Sequence, residues 1–211
     1  MSVIMRLFTL LCLFSIATVS NASFEGKSLD VTPLIGYRFG GDFKWVDEKG
    51  ITTSKSISIK EDINYGILIA WHFDRKRQGE FLLNHYKTQF SQNIGSTVSR
   101  NNLALTYAHI GGNVPISNGL IPLYVTGGLG LTHIAPEDVL LDNETRFSIN
   151  IGLATKIPLT ESLSFRFGSR IYATFFNSDS YIFCNKDNCA ISISSDLWIQ
   201  SEINAGITFS F

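Results

Sequence analysis

Acyl transfer needs a hydroxyl or thiol nucleophile beside an imidazole base, and the chain carries four histidines and three cysteines from which such a site could be built. His72 and His109 stand beside Trp71 and close to Tyr107, at one end of their segments, which suits boundary residues better than catalysts. His133 has Ser148 as its candidate hydroxyl. A period-two reading puts Ser148 on one face and His133 on the other, so their side chains diverge and no enzyme activity is expected. Gly127-Gly128-Leu129-Gly130 has the look of a phosphate loop but has neither a lysine nor a following helix. No cofactor is called for. Glu137, Asp138, Asp142 and Glu144 make one acidic stretch, open to two readings: a solvated loop, or a divalent-cation site.

Cys184 and Cys189 frame the polar run Cys-Asn-Lys-Asp-Asn-Cys. Such a pair in an exported chain reads as a disulfide, worth about 2 kcal/mol for so short a loop, while zinc needs more ligands than the loop offers. Export is expected from the front of the chain. Arg6 precedes an apolar run from Leu7 to Val19, which contains Cys12, and Ser20-Asn21-Ala22 supplies small residues for cleavage. Residues 1–22 are therefore a signal peptide, too short in its apolar core for the ~20 residues of a spanning helix. The mature domain is 23–211.

The net charge of −1 excludes a nucleic-acid partner, which would require a basic footprint. Asp74-Arg75-Lys76-Arg77 is a local exception. It is either a polar stop or a contact for anionic headgroups or peptidoglycan.

The elements that must position these groups alternate with period two. Eight segments do so: 29–43, 64–73, 80–90, 102–110, 120–133, 145–157, 163–176 and 197–211. In the seventh, Leu163, Phe165, Phe167, Ile171, Ala173 and Phe175 alternate with Ser164, Arg166, Gly168, Arg170, Tyr172 and Thr174. A soluble sandwich also alternates, but its strands usually run about five or six residues. These are longer, and a transmembrane barrel requires at least ~9–11 residues per strand. Long breaks follow segments one, three, five and seven, and short ones follow two, four and six, as between the outer and periplasmic rims of such a barrel. The fold class is therefore all-β, an eight-stranded antiparallel up-and-down transmembrane barrel.

The chain closes on Ser201 to Phe211, where Ile203, Ile207, Phe209 and Phe211 occupy alternate positions up to the last residue. This ending resembles the carboxyl-terminal strand of Gram-negative outer-membrane β-barrels, and the whole mature chain resembles small eight-stranded barrels of the OmpA/OmpX type, without a peptidoglycan-binding domain. The resemblance implies that those four residues are read by the barrel-assembly machinery and that the chain sits as a monomer in the outer membrane against lipid and lipopolysaccharide. It also implies a porin-like architecture serving a structural or surface-interaction role, with a narrow channel or a lipid A-modifying enzyme as the alternative.

Eight strands leave just enough interior for side chains to fill. Parity places Arg38, Arg146, Lys156, Arg166, Arg170, Glu202, Asn150, Asn204, Gln200, Tyr124 and Tyr172 inside, because an arginine facing lipid near the midplane costs roughly 2–4 kcal/mol. An interior Arg38–Glu202–Arg170 cluster is expected, with Arg166 nearby. The third segment has no clean apolar face. Its expected orientation puts His85 and Lys87 inward.

Overall fold

A computed structural model describes residues 28–41, 43–46, 52–74, 77–94, 97–117, 121–137, 142–176, 181–185, 188–192 and 197–211; residues 43–46, 52–58, 90–94, 97–101, 181–185 and 188–192 are described by backbone alone. Residues 1–22, expected as a signal peptide, and Asp138, Arg75 and Lys76 lie outside the described residues. Twelve strands follow in chain order: β1 Leu29–Phe39, β2 Phe43–Val46, β3 Thr52–Ile59, β4 Asp62–His72, β5 Gln78–Ile94, β6 Thr97–Ser117, β7 Leu123–Pro136, β8 Glu144–Pro158, β9 Leu163–Phe175, β10 Tyr181–Asn185, β11 Asn188–Ser192 and β12 Leu197–Ser210. None of the described residues is helical.

Eight of these strands, β1, β4, β5, β6, β7, β8, β9 and β12, pair antiparallel in a ring. The ring closes where β1 meets β12, from Asp30 opposite Ser210 to Phe39 opposite Ser201. Leu29 and Phe211 extend that seam with reciprocal backbone hydrogen bonds of 3.4 and 2.8 Å. Closure leaves these long apolar strands with no open edge, the condition for burying backbone polar groups in hydrocarbon.

The outward face is apolar: Ile35, Tyr65, Ile110, Leu129, Ile151 and Phe167 are between 50 and 63% exposed. The alternating polar positions point inward, and Arg38, Arg166, Arg170 and Glu202 are at most 4% exposed. In water this arrangement would leave the larger apolar area wet. In a bilayer the same area meets acyl chains, and the fold is consistent only there.

The sequence pattern underestimates β5 and β6. They run 17 and 21 residues and remain paired to Ile94 opposite Thr97, although apolar alternation ends near Phe90. Hydrophobic patterning reports lipid contact, whereas ladder hydrogen bonds continue into water. Of the other long connections, the first and the last also hold paired strands, β2 with β3 and β10 with β11.

Glycine acts as a shape determinant between β6 and β7. A Cβ on Gly111 would lie 1.9 Å from the Gly127 carbonyl oxygen, and one on Gly130 1.9 Å from that of Ala108. Backbone approaches this close require residues without side chains, and they let the wall curve tightly around a narrow interior. The Gly127–Gly130 stretch is thus part of a strand wall, and no helix follows it.

Candidate functional site: a packed and charged barrel interior

Alternation places one side chain in two inside the ring, and the narrow ring makes those from opposite walls touch. Three polar layers result. At the end where Leu29 meets Phe211, Lys156 donates to Asp30 at 2.6 Å, Ser210 donates to the same carboxylate at 2.6 Å, and Thr32 meets Thr208 at 2.8 Å. His72 turns inward and contacts Gln78.

In the next layer Glu80, on β5, accepts from Arg170 at 2.7 Å, from Arg166 at 3.4 Å and from Asn113 at 2.7 Å. Asn150 accepts from the other terminal nitrogen of Arg170 at 2.8 Å. One carboxylate therefore serves two guanidinium groups reaching from β9. The third layer is built on Glu202. It forms an ion pair with Arg38 and also accepts from Asn204 at 2.7 Å and from Asn64 and Asn84 at 3.3 Å each. The Arg38 guanidinium lies 4.1 Å from the ring centres of Tyr107 and Tyr172 and 5.2 Å from that of Tyr86. Tyr107 in turn donates to Gln200, which donates to the Tyr86 hydroxyl at 2.6 Å. Aromatic faces and a paired carboxylate replace the water that this cation has lost.

Arg38, Arg166, Arg170 and Glu202 are all interior, but they do not form the expected triad. Arg170 stands directly opposite Glu202 in the β9–β12 register, yet its ion pair is with Glu80. The long arginine side chain crosses the lumen instead of reaching its neighbour, whose carboxylate is already occupied by Arg38. Glu80 was missed because it belongs to the strand whose faces the sequence left ambiguous. That orientation is also corrected. Glu80, Leu82, Asn84, Tyr86 and Thr88 point inward, and His85 and Lys87 point outward. Outside, each finds a partner: His85 Nδ1 lies 2.8 Å from the Thr106 hydroxyl, and Lys87 lies 3.6 Å from Glu137.

His109 and His72 are not boundary residues on the outer face. Their parity is inward, and His109, 2% exposed, has Nε2 2.9 Å from the Ser148 hydroxyl. His133 instead hydrogen bonds Thr145 on the outside at 2.8 Å. The Ser148–His109 contact superficially offers a nucleophile and a base. His109 Nδ1 has no hydrogen-bond partner, so the carboxylate that orients such an imidazole is missing among the described residues. The ring packs between Tyr107 and Tyr172 at centroid distances of 6.1 and 5.7 Å.

The inward face is also less polar than alternation suggests. Leu34, Leu68, Leu82, Leu103, Leu105 and Ile134 are buried within it, together with Phe176 and Trp198. A lumen too narrow for a water column is filled like a protein core, and apolar side chains fill it as well as polar ones. The Trp198 indole donates to the Gly41 carbonyl at 2.7 Å, where the chain leaves β1 through Gly40 and Gly41 at φ of 80° and 96°.

Of the acidic stretch, Glu137 is engaged by Lys87 and by Asn102 at 2.7 Å, and Glu144 pairs with Arg146 at 2.8 Å. The described residues contain no cluster of metal-ligating side chains. Cys184 and Cys189 are directly opposed in the β10–β11 register.

The ring of eight strands, its apolar outside and its packed inside define a small transmembrane β-barrel. No protein-family profile matches the chain, and no curated protein is significantly similar in sequence. Solved structures share the fold. The outer membrane protein OprG from Pseudomonas aeruginosa superposes with a TM-score of 0.64 at 9% identity, over 88% of this chain and 96% of that one. Neisserial surface protein A gives 0.55 at 12% identity over 89% and 100%. The outer membrane protein AlkL, solved in lipid bilayers, gives 0.55 at 12% identity over 92% and 94%.

Proposed function

We propose that the protein is a structural and surface-interaction barrel of the Gram-negative outer membrane, with a closed lumen and its long connections directed outward. The buried network carries this reading. Glu80 and Glu202 tie β5, β9, β12 and β1 together across the interior, and the three tyrosines around Arg38 fill the space between them. Side chains so interlocked brace the wall and occupy the path an ion would take. The reach of the ladder supports the surface role, since the 21 residues of β6 exceed the ~9–11 needed to cross.

In planar bilayers the purified barrel is expected to pass no steady ion current at any modest voltage. A stable open conductance level from pure, folded protein would overturn the packed-lumen reading.

The terminal strand, with Ile203, Ile207, Phe209 and Phe211 outward, is proposed as the segment read by the assembly machinery, and the barrel as a monomer contacting lipid and lipopolysaccharide. Cys184 and Cys189 are proposed to form a disulfide, because directly opposed residues of an antiparallel pair lie about 4.5–5.5 Å apart at Cα, within disulfide range. Without reductant, alkylation should add no mass to the mature protein. Two alkyl groups added under those conditions would rule the bridge out.

A further inference from the structure

The outer wall carries a feature that the packed lumen does not use. Gly112 on β6 and Gly127 on β7 are opposite each other in register and both face outward, so the apolar surface is missing two side chains at one place. The result is a groove of about 1020 Å³ whose rim includes Val114, Val125, Leu129, Ile151 and Ile171. The space is open over Gly127, where a Cβ would meet nothing closer than 3.6 Å, while at Gly112 the Gln78 carbonyl oxygen forms the floor, 2.7 Å from where a Cβ would stand. Along β7 it covers Val125 to Leu129, about 13 Å at ~3.3 Å per residue, which at the ~45° tilt of a barrel strand is about 9 Å of depth, over half of a ~15 Å hydrocarbon leaflet.

One end of the groove is charged. Phe73 and Arg77, from the short turn between β4 and β5, line it, and Asp74 holds the Arg77 guanidinium at 2.7 Å. The turn reads Asp74-Arg75-Lys76-Arg77, a net charge of +2. It lies at the same end of the barrel as Ser28 and Phe211, since the His72 amide donates to the Ser28 carbonyl at 3.1 Å and Phe211 bonds Leu29. An apolar slot more than half a leaflet deep, with Arg77 at one end, matches a molecule with an acyl tail and an anionic head.

We infer that this groove is a binding site for one anionic phospholipid of the inner leaflet, its acyl chain lying over Gly112 and Gly127 and its phosphate beside Arg77. The inference rests on the proposed orientation, with the long connections outward and the short turns, Leu29 and Phe211 at the periplasmic side. The pairing with Asp74 leaves the Arg77 side chain 69% exposed and within reach of a phosphate. Ordinary annular lipid exchanges freely along a smooth wall. A lipid seated in this groove gains contact on both sides and is retained.

The test uses the full mature barrel in nanodiscs containing equal amounts of phosphatidylglycerol and phosphatidylethanolamine, followed by native mass spectrometry of the released protein. One phosphatidylglycerol per barrel is the expected adduct. Gly127→Leu should abolish it, and Arg77→Gln should weaken it about fivefold, the worth of one arginine at an anionic surface. Ile151→Trp, on the exposed rim, blocks the same groove and serves if Gly127→Leu loses its heat-modifiable folded band. Equal retention of the two phospholipids would overturn the headgroup assignment, and an undiminished adduct in a folded groove-blocked variant would overturn the site. Preferential retention of lipopolysaccharide, when it is added in place of phosphatidylglycerol, would place this end of the barrel in the other leaflet and defeat the orientation. The lumen and its conductance would be untouched by any of these outcomes.

Discussion

Glu80→Gln will destabilise the folded barrel by about 3–5 kcal/mol, the usual cost of stranding buried charge, because one carboxylate compensates both Arg166 and Arg170. Glutamine keeps the size and the acceptor for Asn113 but removes the negative charge. Urea unfolding in lipid or detergent, followed by the shift of the heat-modified band, gives the magnitude. Adding Arg166→Met and Arg170→Met to the same chain should recover much of the loss, since replacing a whole buried ion set by apolar residues is often neutral or better. An unfolding midpoint for Glu80→Gln equal to that of the parent would remove Glu80 from the account.

Glu202→Ala should cost a similar amount, about 3–5 kcal/mol, for a different reason. It leaves Arg38 facing three tyrosine rings and also deprives Asn64, Asn84 and Asn204 of their shared acceptor. The rings recover part of the loss, since a desolvated cation–π contact is worth up to about 2 kcal/mol. The discriminating measurement is a pair of double-mutant cycles. Coupling between Glu202 and Arg38 should fall in the upper part of the roughly 0.5–3 kcal/mol seen for contacting residues, and coupling between Glu202 and Arg170 should be markedly smaller. Register alone predicts the opposite emphasis, because Arg170 is the direct cross-strand neighbour of Glu202. Equal couplings would mean that the arginines share both carboxylates.

These two predictions separate what was legible in the chain from what was not. The inward parity of Arg38, Arg166, Arg170 and Glu202 followed from the apolar residues on either side of each, because lipid excludes charge strongly enough for neighbours to decide the facing. The same logic failed on β5. Leu82 and Leu83 adjoin, Tyr86 faces inward and Phe81 outward, so neither face of the strand is uniformly apolar. His85 and Lys87 looked too polar for the outside, but their partners Thr106 and Glu137 lie on β6 and beyond β7. His109 was read by its proximity to Tyr107 as a boundary residue, although the two share the inward parity and stack at 6.1 Å. The interior leucines were invisible for a related reason. Alternation sorts residues by which face they occupy, and it does not specify what a narrow interior needs in order to be filled.

The sequence by itself determined the architecture, the inside and outside of most strands, and a seam that ends on Phe211, because contact with hydrocarbon or its absence is a property of each strand taken alone. Only the tertiary structure decided that Glu80 is the counter-charge of Arg170, that Arg38 is enclosed by three tyrosines, and that Gly112 and Gly127 open a groove together. Those facts depend on distances across the lumen or between strands far apart in the chain. They are fixed by how tightly the ring curves, which no single strand records.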